Sequence, residues 1–282
     1  MKDSECVAFL QWALPRLGLR WEGYRKVRAQ ACKRIGRRAQ ELGLSGPQAY
    51  RACLERAPDE WGTLAALLPI TISRFYRDKA VFDFIAAILL PALARDASAR
   101  GEKLLRALSL GCASGEEPYT LMLAWRFASA PRFPDLVLRV VAVDVLEELL
   151  ARARAACYPA SSLKRLPRAW REAAFERRND GYCLHAAYRH GVEFLRQDIR
   201  NEMPEGPFDL ILCRNLVFTY FDEAAQRDAL RRLLERLRPG GALVIGSHET
   251  LLHGSGLASW PGAERLPILR RSSEGEIEVR GR

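Results

Sequence analysis

From Leu104 onward, short apolar runs alternate with amphipathic stretches, and this rhythm constrains the fold more than any single motif. LLRALSL leads into a segment of helical spacing that begins near Glu116. LVLRVVAVD leads into LEELLARARAA, and FDLILCRN into DEAAQRDALRRLLERLR. VEFLRQD precedes a loop, and RPGG turns into ALVIGSHE. Apolar runs of this length, separated by helix-period segments, are strands buried on both faces of a parallel sheet, with helices on each side. The expectation for residues 99–282 is therefore an α/β fold with a Rossmann-like sheet. Residues 158–192 interrupt the rhythm with polar helical turns and then GYCLHAAYRHGVEF, so a small hairpin insertion is expected within 176–192. The closing SSEGEIEVRGR is expected to fray.

Residues 1–98 read as a separate all-helical, basic domain with a linker helix. Apolar positions recur three or four apart in CVAFLQWALPRL, YRKVRAQACKRIGRRAQEL and PQAYRACLERA. Gly18, Gly43 and Gly46-Pro47 punctuate them. The chain carries a formal charge of +10, and Arg20, Arg25, Lys26, Arg28, Lys33, Arg34, Arg37 and Arg38 oppose the single acid Glu22 over one short stretch. Such a face suits an acidic protein, an anionic lipid or nucleic acid, or is simply solvated surface. No aromatic interleaving or recognition motif points to nucleic acid, which is not expected as a partner. No run approaches the roughly 18 apolar residues of a membrane span, and MKDSEC has no secretion-signal pattern. The seven cysteines (6, 32, 53, 112, 157, 183, 213) stand singly without a CxxC pair. Free buried thiols in a reducing cytoplasm are expected. The four histidines lack ligand spacing with them, so no metal is expected. A monomer is expected.

In an open α/β sheet, ligands sit outside the carboxyl ends of the strands. Four strand ends here carry polar signatures. Gly111-Cys-Ala-Ser-Gly115 is a GxAxG turn that lets a ligand approach the backbone. Asp144 closes LVLRVVAVD and suits ribose hydroxyls, or else caps the next helix. Asp198 follows VEFLRQ and suits an adenine amino group, or caps a loop. Arg214 and Asn215 follow the buried run FDLIL. A glycine turn, a ribose and an adenine describe an adenosyl cofactor. Glu116 and Glu117 discriminate further, because phosphate at a helix N-terminus wants no acid beside it. S-adenosyl-L-methionine has no phosphate and carries an ammonium and a sulfonium, which Glu116 can pair while gaining from the positive helix end. The structural alternative makes both glutamates ordinary first-turn residues ahead of Pro118.

GCASGEEPY resembles the GCSTGEEPYS motif of the CheR-type chemotaxis receptor methyltransferases. TISRFYRD is similar to the family's TNLTxFFRE, GPFDLILCRNLVFTYFD to GPFDxIFCRNVxIYFD, and LRPGGALVIGSHE to LKPGGxLxxGHSE. VAVDVLEELLARARAACYPASSLKRLP follows the family pattern as well, so the likeness spans nearly the whole chain. It implies a helical N-terminal domain joined to a class I methyltransferase domain. It also implies methyl transfer from S-adenosyl-L-methionine to chemoreceptor glutamates, leaving S-adenosyl-L-homocysteine. By motif match, Thr71, Ser73 and Arg77 lie where the linker helix reaches the cofactor. Gly111, Ala113 and Gly115 form the turn, Glu116 meets the ammonium and Asp144 the ribose. Asp198 and Ile199 replace the usual Asn-Leu pair near adenine, Arg214 and Asn215 match the Arg-Asn pair, and Tyr220 matches the active-site tyrosine. Arg77 and Tyr220 are the catalytic candidates. The partner expected at the basic N-terminal helices is a chemoreceptor or another acidic protein.

The departures cluster on the acceptor side. One extra residue separates Asn215 from Tyr220, a shift of about 100° on a helix. TNLT has become Thr71-Ile-Ser73, and GHSE has become Gly246-Ser-His-Glu249. Two further functions stay open: a methyltransferase of the same fold acting on a small molecule or another acceptor, and a non-catalytic S-adenosylmethionine-binding or docking module.

Overall fold

The computed structural model describes residues 2–178, 181–251 and 256–272. Most of the closing segment expected to fray, residues 273–282, lies outside them. The chain divides into two compact units, Met1–Ile72 with Thr219–Asp228, and Ser73–Phe218 with Ala229–Arg282.

The first unit is helical. Helices Asp3–Ala13, Arg28–Glu41, Pro47–Arg56 and Glu60–Leu67 and the tight turn Leu14–Leu17 bury Phe9, Leu10, Leu14, Ile35, Tyr50, Leu54 and Leu64, mostly apolar positions that recur three and four apart. Residues 219–228 belong to this unit through backbone bonds. Arg20 N–H donates to the Tyr220 carbonyl at 2.8 Å, and Asp222 N–H to that of Gly18 at 2.9 Å. Gly23 is required there, since a Cβ on it would stand 2.3 Å from the Thr219 carbonyl oxygen. Several of the basic residues are structural. Arg28 pairs with Asp3 at 2.8 Å and Arg38 with Glu60 at 2.8 Å, while Arg34 donates to the Leu67 and Pro69 carbonyls. Arg25, Lys26, Lys33 and Arg37 are exposed.

The second unit holds a seven-stranded sheet. Its strands are β1 (Leu104–Leu110), β2 (Val137–Asp144), β6 (Val192–Arg196), β7 (Phe208–Cys213), β8 (Leu237–Ile245), β9 (Leu257–Ser259) and β10 (Ile268–Arg271), in the order β6-β2-β1-β7-β8-β10-β9. The pairs β1/β2, β1/β7, β2/β6 and β7/β8 are parallel, and β10 is antiparallel to β8 and β9. β7 is buried along its whole length, as expected of a central strand with helices on both faces. Helices from Lys79 to Ala99 join this unit's core through Val81, Phe82, Ile85, Leu89, Leu90 and Leu93. A π turn at Ile85–Leu89 precedes Pro91, whose missing N–H breaks the regular ladder.

A second sheet of three short strands, β3 (Cys157–Tyr158), β4 (Phe175–Arg178) and β5 (Gly181–Leu184), has the order β3-β5-β4. In this region β4 and β5 pair antiparallel, while GYCLHAAYRHGVEF runs on from β5 through the short helix Ala186–Arg189 into β6 of the large sheet. β3 had no signal in the sequence.

The expectation of free thiols throughout is overturned. Cys6 and Cys32 form a disulfide, as do Cys157 and Cys183, leaving Cys53, Cys112 and Cys213 free. Each pair is 26 residues apart in sequence, but the fold brings the Cα atoms to 5.8 Å for Cys6–Cys32, inside the usual disulfide range, and to 4.0 Å for Cys157–Cys183, slightly below it. Single cysteines at such separation give no spacing signal. No helix among the described residues is long and apolar enough to cross a membrane.

Candidate active site

The sheet order reverses between β1 and β7, the position where a doubly wound sheet opens a crevice at its carboxyl ends. The GxAxG turn leaves β1 there. Gly111 and Cys112 N–H groups both donate to the Val143 carbonyl, at 2.9 and 3.0 Å, fastening the turn to β2. Gly111, Ala113 and Gly115 have φ of 68°, 48° and 88°, a left-handed region that favours glycine. A Cβ on Gly115 would stand 2.9 Å from Ala153 Cβ. Tyr158 Oη donates to the Ser114 carbonyl at 2.8 Å, so β3 holds the turn from the other side.

Helix Glu116–Ala124 starts at once, with Glu116 2% exposed. The Ser114 hydroxyl donates to its carboxylate at 3.0 Å, and no Lys or Arg pairs with it among the described residues. A buried carboxylate costs several kcal/mol unless a cation or strong donors meet it. Its position at the first turn of a helix supplies part of that compensation. An ammonium would supply the rest, so the turn fits the amino-acid end of an adenosyl cofactor.

Glu117 has a different task. It accepts from Ser109 Oγ at 2.8 Å and from Arg214 Nη1 at 2.9 Å. Arg214 is buried and also donates through Nη2 to Asp78 Oδ2 at 2.6 Å and to the Arg77 carbonyl at 3.1 Å. The segment 73–78, expected on a linker helix, is not helical. Phe75 N–H donates to the Ser162 carbonyl, Tyr76 N–H to Thr120 Oγ1, and Tyr76 and Asp78 take positive φ. This irregular path sets Arg77 beside Asn215, whose Oδ1 accepts from Arg77 Nη2 at 3.2 Å.

At the end of β2, Asp144 accepts from Ala113 N–H at 2.8 Å and Leu146 N–H at 3.0 Å. Burial pushes its carboxyl above the ordinary aspartate range, against the backbone amides of Leu146, Ala113 and Val145 that pull it down. At the end of β6, Asp198 is gripped by Arg200 through Nε and Nη2, at 3.0 and 2.6 Å. Burial raises the Asp198 carboxyl, but the Arg200 hydrogen bonds and charge outweigh it and hold the group below its usual value. The preceding Gln197 has a buried Oε1 with no hydrogen-bond partner, an acceptor left for a donor that the protein does not supply. Ile199 is buried, its carbonyl taking a hydrogen bond from Arg232.

The structure thus gathers Arg77, Gly111, Ala113, Gly115, Glu116, Asp144, Arg214 and Asn215 around the ends of β1, β2 and β7. Ser73 heads the irregular segment. Thr71 and Tyr220 belong to the first unit, where Thr71 Oγ1 accepts from Arg34 at 3.4 Å and the Tyr220 ring lies 5.0 Å from that of Tyr24. Tyr220 closes the short helix Val217–Tyr220. Sequence reasoning missed Ser109, Ser114, Tyr158 and Gln197. Only Ser109 carried a signal, as a polar residue in an apolar strand.

This sheet order, with an antiparallel strand next to last at one edge and an adenosyl-type turn after β1, defines a class I methyltransferase. A family model described as CheR methyltransferase, SAM binding domain, matches residues 71–260. The chain belongs to the CheR methyltransferase family. A chemotaxis protein methyltransferase of Listeria monocytogenes is 34% identical over 188 residues, covering 67% of this chain and 68% of that one. Chemotaxis protein methyltransferase 2 of Vibrio cholerae is 28% identical over 258 residues, 88% of this chain and 86% of its own. The probable biofilm formation methyltransferase WspC of Pseudomonas aeruginosa is 29% identical over 243 residues, 85% of this chain and 56% of its own. The protein is an S-adenosylmethionine-dependent methyltransferase.

Proposed function

We propose that this enzyme methylates glutamate side chains of chemoreceptors, forming γ-glutamyl methyl esters. The observation that carries the reading is the half-buried Arg77 guanidinium held by Asn215 Oδ1 at 3.2 Å, a fixed cation suited to an acceptor carboxylate. The likeness to chemotaxis protein methyltransferases supports the same acceptor.

S-adenosylmethionine, when bound, supplies an electrophilic methyl group. The chain's own residues do the holding. Glu116 pairs with the ammonium, and Gly111, Ala113 and Gly115 admit the ligand close to the backbone. Asp144 accepts from the ribose hydroxyls, while Asp198, Ile199 and Gln197 border the adenine. Ser73, Arg77 and Asn215 complete the donor site, Arg77 and Asn215 being joined by their hydrogen bond. Arg214, matched by motif to the cofactor side, also fixes Glu117, Asp78 and the Arg77 backbone. A glutamate with pKa about 4.3 is already ionised at neutral pH, so no strong general base is needed. The protein's work is to orient the acceptor and exclude water, and Arg77 does the first through charge-assisted hydrogen bonds. Thr71 and Tyr220 join the proposal on their motif matches.

The exposed Arg25, Lys26, Lys33 and Arg37 form the face for an acidic protein partner. We place the enzyme in the cytoplasm as a monomer, with no nucleic-acid partner. The test is to incubate the enzyme with methyl-labelled cofactor and cytoplasmic receptor fragments, then treat with base. Label released as methanol supports the reading; absent or base-stable label sinks it.

A further inference from the structure

We infer that Glu249 is a positioning residue of the methyl-donor site, acting on Arg77 through Asn215. After β8 ends at Ile245, the chain turns sharply, and Glu249 N–H donates to the Gly246 carbonyl at 2.9 Å. The Glu249 side chain is thereby folded back into the protein, where the residue is 8% exposed. Its carboxylate gathers three backbone N–H groups. Oε2 accepts from Gly246 at 2.5 Å and from Asn215 at 2.9 Å, and Oε1 accepts from Leu216 at 3.2 Å.

Two of those amides belong to the turn after β7, where Asn215 has φ of 55°, a left-handed conformation that asparagine takes more readily than most residues with a side chain. Paired donors aimed at one carboxylate hold it there. The consequence lies in the Asn215 side chain, whose Oδ1 accepts from Arg77 Nη2. Gly246 shows how closely the parts are fitted: a Cβ there would stand 2.7 Å from Glu249 Oε2 and 3.1 Å from Asn215 Oδ1. The acid at the end of one strand therefore fixes an amide at the end of its neighbour, and the amide fixes the guanidinium. Glu249 itself touches no reacting atom in this scheme.

The inference rests on the proposed place of Arg77 in the donor site. Glu249→Gln keeps the shape but replaces one carboxylate oxygen with a group that cannot accept, so at least one amide loses its partner. Calorimetry with S-adenosylhomocysteine on the purified full chain compares wild type, Glu249→Gln, Arg77→Ala and the double variant. Each single variant is expected to weaken binding about 10-fold, with the double variant within about 2-fold of Arg77→Ala because both changes remove one interaction. Losses that multiply to about 100-fold overturn the inference, as does unchanged affinity in Glu249→Gln. Weakened binding in Glu249→Gln beside full affinity in Arg77→Ala overturns it too, and that result separately removes Arg77 from the donor site. Should Glu249→Gln fail to fold, Asn215→Ala removes Oδ1 and leaves the Glu249 amide bonds. Non-additivity of Asn215→Ala with Arg77→Ala supports the relay, and additivity overturns it. Base-labile labelling by wild type reads the glutamate assignment independently of these variants.

Discussion

Arg214 Nη1 donates to Glu117 Oε2 at 2.9 Å, with 2% of the Arg214 side chain exposed. The same guanidinium reaches Asp78 Oδ2 at 2.6 Å, so one buried cation is shared by two acids from separate segments. Removing one partner of a buried ion pair leaves an undercompensated charge, at a cost of about 3–5 kcal/mol. Asp78 remains to Arg214, so Glu117→Ala is expected near the lower end, about 3 kcal/mol. Urea unfolding with an unchanged m-value measures it; a loss below about 1 kcal/mol contradicts the assignment.

Tyr158→Phe removes the hydroxyl that donates to the Ser114 carbonyl and keeps the ring that meets Phe75 edge-on at 4.8 Å. A buried carbonyl loses its donor, at a cost of about 1–3 kcal/mol. Because Ser114 also donates to Glu116, cofactor affinity should fall along with stability. A stability loss with full affinity would show that β3 supports the fold without shaping the turn.

Acid should weaken cofactor binding through Asp144. Burial raises its folded-state carboxyl above the unfolded value, so in the free enzyme it takes up a proton at a higher pH than an ordinary aspartate. Its contribution to folding stability is full below the unfolded pKa, about 3.9, and is lost as pH rises through the raised folded value. Binding runs the opposite way, since the ionised carboxylate is the better acceptor for ribose hydroxyls. S-adenosylhomocysteine affinity should therefore decline on acidification before an ordinary aspartate titrates. Asp144→Asn should bind more weakly and lose that part of the pH dependence. A wild-type affinity that is flat down to about pH 4 contradicts this role.

Much of this could be read from the chain, for reasons that differ by region. The central strands are continuous apolar runs, and Glu116 declares itself because an acid at a glycine turn excludes phosphate. The tasks of Glu117 and Arg214 were not legible: a first-turn glutamate and an arginine after a strand look alike whether they face solvent or each other across 97 residues. The path of residues 73–78 was also hidden, since TISRFYRD carries no breaker and its positive φ values come from tertiary bonds. β3 is two residues long and exists only because β5 pairs with it.

The cysteines show the same limit, because only the fold brings 6 to 32 and 157 to 183. Each bridge closes a loop of similar length, which chain entropy values at about 3.5 kcal/mol, model-dependent. Thiol titration of the denatured, non-reduced protein should count the three free cysteines, against all seven after reduction. A glutathione-reduced cytoplasm opposes such bridges, so the count should be repeated on protein taken directly from cells under thiol block. Seven free thiols in the oxidised, purified protein contradict both bridges.

The central claim is that Glu116 holds the ammonium of the methyl donor. Titration calorimetry with S-adenosylhomocysteine, which keeps the ammonium and lacks the sulfonium, isolates that contact. Glu116→Gln should weaken binding by about 1.5–3 kcal/mol, roughly 10- to 150-fold, while the protein keeps its fold. Wild-type affinity in Glu116→Gln would make the residue only the start of a helix and contradict the account.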